Sequence, residues 1–99
     1  MENLEIKYAN TFLKRLMGLM FKKDINYALL FTNLKDSSVH THFMRFEIDV
    51  YFIDKNKTVF EKATLKPWRF YRPKKRAHCI LETKKGKLKV KKGDKLDFI

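Results

Sequence analysis

The chain has 99 residues, 44% of them hydrophobic and 14% aromatic, which suits one domain with a true core and excludes wholesale disorder. Its 23 Lys and Arg against 11 Asp and Glu give a net charge of +12, a field that attracts nucleic acid, anionic membrane or acidic ligands. The chain also has no Gln, so part of the lysine excess fits biased coding, and charge alone sets solubility and non-specific attraction rather than function.

Cys79 is the single cysteine, which excludes an internal disulfide and fits a reducing compartment. The opening MENLEIKYAN carries Glu2, Glu5 and Lys7 and has no apolar run of secretory type. No stretch reaches the roughly 18 apolar residues of a membrane span. A cytoplasmic protein without a membrane span is expected.

In chain order, residues 4–8 alternate apolar and charged, as a half-buried strand does. Asn10 or Thr11 is placed to cap a short helix. Phe12, Leu13, Leu16, Met17 and Met20 recur there at helical spacing, and Gly18 weakens it. Residues 27–34 (YALLFTNL) form an apolar run bounded by polar residues, which predicts a buried strand. Residues 39–46 and 48–53 are rich in β-branched and aromatic side chains and predict two more. Asp54, Lys55, Asn56 and Lys57 make a hairpin turn, and residues 58–66 return as a strand. Residues 67–76 contain both prolines and predict an irregular loop. Residues 77–83, 87–91 and 95–99 predict three further strands, separated by turns at Gly86 and Gly93. The sum is a mostly β chain: a small antiparallel β-sandwich or barrel-like single domain over residues 1–99. It would have about eight short strands and one short helix near the N-terminus.

Four stretches, in order, carry a family resemblance. Arg15-Leu16-Met17-Gly18-Leu19-Met20 resembles an R-x-x-G-L-M signature. The run from Phe46 through Ile48, Asp49 and Val50 to Phe52, Ile53 and Asp54 resembles an x-P-[IL]-D-[VI]-x-F-[IL]-D block. Glu82 to Gly86 falls where Glu-x-Pro-Ala-Gly is common, and Gly93-Asp94 at a closing Gly-Asp. Together they span nearly the whole chain and resemble the domain-of-unknown-function 192 family. This chain departs from the family spelling at Met44-Arg45-Phe46, at Glu47 in place of proline, and at Lys84-Lys85 in place of Pro-Ala. The resemblance implies a small, mostly antiparallel β domain with a short helix, and it implies no activity.

Among candidate sites, His40, His42 and Met44 share one face if residues 39–46 are a strand, with Phe46 beside them. An H-x-H pair supplies two imidazoles to Zn or Cu, but a structural zinc site needs four ligands at set spacings. No metal or other cofactor is therefore expected, and His40 and His42 mark where one would bind. Cys79 lies in an apolar strand and is expected to be buried rather than nucleophilic. Asp49 interrupts an apolar run and, if buried, needs a partner, for which Arg45 or Arg69 is placed. Asp54 most simply opens the hairpin turn.

The strongest functional signal is the loop of residues 66–76, which holds six cations and three aromatics in eleven residues and no acid. Aromatic faces stack on bases and sugars, and Arg and Lys neutralise phosphates. The alternative is that Trp68 and Phe70 plug one end of the fold while the cations are solvated. Residues 84–95 (KKGKLKVKKGDK) resemble a lysine-guarded edge strand. The leading expectation is a binding module for an anionic ligand: nucleic acid, a phosphorylated metabolite or an acidic glycan. Its ligand-binding residues would be His40, Arg45, Asp49, Lys66, Trp68, Arg69, Tyr71 and Arg72. A small metal-dependent or acid/base enzyme using His40, His42 and Asp49 is the alternative, and a protein-interaction domain the second alternative. Convergence of His40, His42, Asp49 and Trp68 in one pocket would favour the enzyme. A stripe of cations past exposed aromatics would favour nucleic acid.

Overall fold

The computed structural model describes residues 5–9, 18–20, 22–32, 34 and 36–99. Seven strands run in the order β1 (Glu5–Ala9), β2 (Tyr27–Phe31), β3 (Val39–His40), β4 (Ile48–Ile53), β5 (Val59–Leu65), β6 (Phe70–Tyr71) and β7 (Cys79–Lys84). Five of them form one sheet in the spatial order β1-β2-β7-β4-β5, and β3 pairs with β6 as a separate ribbon. The mostly β expectation holds; the barrel-like, wholly antiparallel one does not. β1 and β5 are the outer strands of this sheet among the described residues, and β1 pairs with β2 in parallel. A long connection from Ala9 to Tyr27 permits this, since parallel neighbours need a crossover of roughly a dozen residues or more. The helix expected over residues 12–20 lies mostly outside the described residues. Its described end, Gly18 to Met20, is a turn with Gly18 at φ 49°, and no helix occurs among the described residues.

β4 and β7 occupy the centre, and this explains their sequences. All six residues of β4 (IDVYFI) are buried, because apolar layers cover both faces of the sheet. Ile48, Val50 and Phe52 of β4 join Leu29, Phe31 and Ile80 in one cluster, together with Met44, Val39 and Ala77. Tyr51 and Ile53 join Leu30, Cys79 and Leu81 in a second, covered by Leu88 and Leu96. The period of two thus sorts one continuous apolar run onto two cores. The β3–β6 ribbon lies over the first face, where the Phe52 and Tyr71 rings stack at 5.6 Å.

Residues 87–99 do not form the two strands expected of them. They run irregularly over the second face, with one isolated bridge between Thr58 and Lys95. Their backbone bonds go into turns and onto the β4–β5 hairpin: Asp94 N–H to Lys91 O (3.1 Å), Val59 N–H to Asp94 O (2.8 Å) and Leu96 N–H to Lys57 O (2.8 Å). Leu88 and Leu96 point inward and the lysines outward, so the alternation is that of a covering segment rather than a guarded edge strand.

Candidate ligand-binding face

Residues 39–46 are a strand for two residues only. The chain then turns at His42 and Phe43, with Phe43 at φ 63°, and Met44 drops into the first core. The expected single face of His40, His42, Met44 and Phe46 is therefore broken: Met44 is buried and Phe46 packs partly against that core. The two histidines still meet, because the turn brings their rings to 5.0 Å in a stack.

Thr41 makes this turn. It is fully buried, its hydroxyl donates to Lys66 O at 2.6 Å, and it accepts from Arg69 N–H at 2.7 Å. Its backbone N–H donates to Arg69 O (2.8 Å) and its carbonyl accepts from Trp68 N–H (2.9 Å). One side chain thus clasps residues 66–69 to the β3 turn. Held this way, Trp68 sits at φ 64°, a left-handed conformation unfavourable for a bulky residue.

The result is a row of rings on the outer face of the ribbon. His40 and Phe70 are cross-strand partners, while Val39 is buried and Tyr71 faces the core. His42 lies 5.5 Å from Trp68, and Trp68 lies 4.7 Å from Phe43. Arg72 lies over Phe70 at 5.9 Å. Phe43, Trp68 and Phe70 are 45%, 56% and 61% exposed, large values for apolar side chains that a core would otherwise take up. Arg45, Lys66 and Arg69 are exposed, each within two residues of Phe43 or Trp68 along the chain. Partial burial, then the neighbouring His42, lowers the His40 pKa from its usual value, which favours its neutral form.

Two residues expected in the site lie elsewhere. Asp49 points to the second face of the sheet, away from the ribbon, and its oxygens accept from Thr64 Oγ1 (2.6 Å) and Gly86 N–H (3.0 Å). It has a hydroxyl and a backbone amide where Arg45 or Arg69 was expected. The Tyr71 hydroxyl donates to Glu61, and its ring belongs to the core side. Asp54 does open the hairpin turn, accepting from Asn56 and Thr58 N–H. Cys79 is buried, and burial, then the charge of Asp54, pushes its thiol pKa up, against a reactive thiolate. Among the described residues no group of three His, Cys, Asp or Glu is placed to hold a metal.

Sequence reasoning missed Thr41 and Glu82. Nothing in the sequence marks Thr41, because its role depends on a partner loop 25 residues on. Glu82 did carry a signal: it sits in phase with Ile80 on β7 and is buried. Burial pushes its carboxyl up to about 8.

The sequence matches the profile of domain-of-unknown-function 192, described as "Uncharacterized ACR, COG1430", over residues 1–98. The chain belongs to this family. UPF0127 proteins of Pyrococcus furiosus and Pyrococcus horikoshii are 43% and 45% identical to it. The alignments cover 96% and 95% of this chain and 87% of each relative. A crystal structure of a protein of unknown function from Novosphingobium aromaticivorans superposes with a TM-score of 0.82 at 20% identity. That match covers 93% of this chain and 73% of the other, and at this identity the likeness is one of fold. No helix among the described residues is long and apolar enough to cross a membrane.

Proposed function

We propose that this chain is a small cytoplasmic, single-domain binding module whose ring-and-cation strip takes single-stranded nucleic acid. The observation that carries this is the outward row Arg72, Phe70, His40, His42, Trp68 and Phe43, with two of its aromatics held at positive φ. Left-handed conformations at bulky residues cost on the order of 1 kcal/mol each, and exposed rings forgo burial. Bases stacked on such rings return about 1–3 kcal/mol apiece without regard to sequence. Arg45, Lys66, Arg69 and Arg72 neutralise the phosphates between stacked bases. A phosphorylated metabolite or an acidic glycan is served by fewer rings, and a protein partner has less use for the cations. The enzyme alternative needs Asp49 beside His40 and His42, and Asp49 faces the other side of the sheet with both oxygens engaged.

The test is fluorescence anisotropy of a labelled oligothymidylate across salt concentrations. Neutralising three or four phosphates of a single strand predicts about a 30-fold loss of affinity between roughly 50 and 200 mM salt. Trp68→Ala keeps every charge and is expected to weaken binding by about 10-fold or more. Affinity that is flat with salt, or unchanged in Trp68→Ala, would contradict the proposal.

A further inference from the structure

A cleft lies at the end of the sheet where β4 stops and β7 begins. Leu30 and Cys79, which line it, belong to the second apolar cluster, on the face opposite the ribbon. It encloses about 760 Å3, inside the usual range for small-molecule sites of roughly 300–1,000 Å3. Ile99 extends the apolar floor that Leu30 and Cys79 make. Tyr8, opposite Leu30 in register and 50% exposed, turns a ring toward the same space.

The rim has the other half of a ligand's chemistry. Lys55 and Lys57, on the β4–β5 turn, and Arg76, on the chain leading into β7, stand around the mouth. The ion pairs among the described residues are Lys84–Asp24 and Lys85–Glu47, so none of these three cations is neutralised by a described carboxylate. The Arg76 guanidinium is held in place by donating to Leu34 O at 3.1 Å, which leaves its other N–H groups free to donate. Asp54, the single acidic side chain on the described lining, is engaged at Oδ1 by the hairpin amides of Asn56 and Thr58. A phosphate at the rim thus meets cations, and a flat or apolar body beneath it meets a ring and a dry floor.

We propose that this cleft is a second site, separate from the ring strip, which binds a small phosphorylated molecule with an aromatic or apolar body of nucleoside monophosphate size. The phosphate lies among Lys55, Lys57 and Arg76, and the body lies against Tyr8 over Leu30, Cys79 and Ile99.

Amide chemical shifts of the full chain, titrated separately with adenosine monophosphate, inorganic phosphate and adenosine, test this. Adenosine monophosphate is expected to move the amides of residues 54–57 and 76–79 and to bind at least about 10-fold more tightly than either fragment. The exposed pair Lys55→Ala with Lys57→Ala is expected to weaken it about 10-fold or more, with the shift dispersion of the unmodified chain retained. Trp68→Ala is expected to leave it unchanged, so failure at the strip and failure at the cleft are distinguishable. Inorganic phosphate binding as tightly as the nucleotide would overturn the proposal, as would equal affinity in the lysine variant. Shifts confined to residues 40–43 and 66–72, or none at about 5 mM nucleotide, would also overturn it.

Discussion

Glu82 is a carboxyl in the middle of a sheet, with Leu29 and Val50 as its cross-strand neighbours. Burial alone raises it from 4.5 to about 8. A carboxyl whose pKa is raised on folding favours the folded state fully below its unfolded value and loses that contribution as pH rises through the folded one. The chain should therefore lose stability between roughly pH 5 and 9, by as much as about 5 kcal/mol. Glu82→Gln, which stays neutral, should remove most of this slope in thermal melts. Equal slopes in both proteins would contradict it. Asp49 is the opposite case, a buried carboxyl with two donors. Asp49→Ala leaves the Gly86 N–H and the Thr64 hydroxyl without their acceptor, and urea unfolding should report a loss of about 2–3 kcal/mol. The difference between the two acids is illegible from the sequence, where both merely interrupt apolar runs. Asp49 finds its donors 15 and 37 residues away, and no local pattern announces pairs of that range.

At the scale of elements, β4 is legible because a central strand covered on both faces is written as a nearly unbroken apolar run; the hairpin after it is marked by its turn residues, and most of β5 and β7 by short apolar and β-branched stretches. Residues 39–46 mislead, since their β-branched and aromatic content says strand while Thr41 turns the chain to reach Lys66 and Arg69. The C-terminal lysine alternation misleads for a related reason: period two records which side is dry, and a covering segment has a dry side without a pairing partner. The candidate site was legible in its composition, through Trp68 and the arginines, but not in its membership, because Phe43 joins it only through the turn. Thr41→Val keeps the shape and removes the hydroxyl that bridges the two loops. It should cost about 2 kcal/mol in urea unfolding and weaken oligonucleotide binding although Thr41 is fully buried; Thr41→Ser should restore both. Trp68→Gly should be as stable as Trp68→Ala or more so, by about 1 kcal/mol, since glycine accepts φ 64° freely. Stacking is lost in both variants, so oligonucleotide binding should be equally weak in the two and should not follow their difference in stability.

Over the whole molecule, the charge of +12 acts on any polyanion at a distance, so binding to nucleic acid by itself would be weak support for a built site. The decisive distinction is between charge spread over the surface and bases seated on the strip. The chain supplies its own reporter, because Trp68 is its single tryptophan and stands 56% exposed in the middle of the ring row. Titration of the unmodified protein with oligothymidylate, followed by tryptophan emission, is the most direct test. The stacking site predicts saturable quenching, with a midpoint that moves to higher oligonucleotide concentration as salt is raised and a plateau quench that stays the same. Binding detected by anisotropy while tryptophan emission stays unchanged would mean that the polyanion sits elsewhere on the basic surface, and would contradict the strip as the nucleic-acid site.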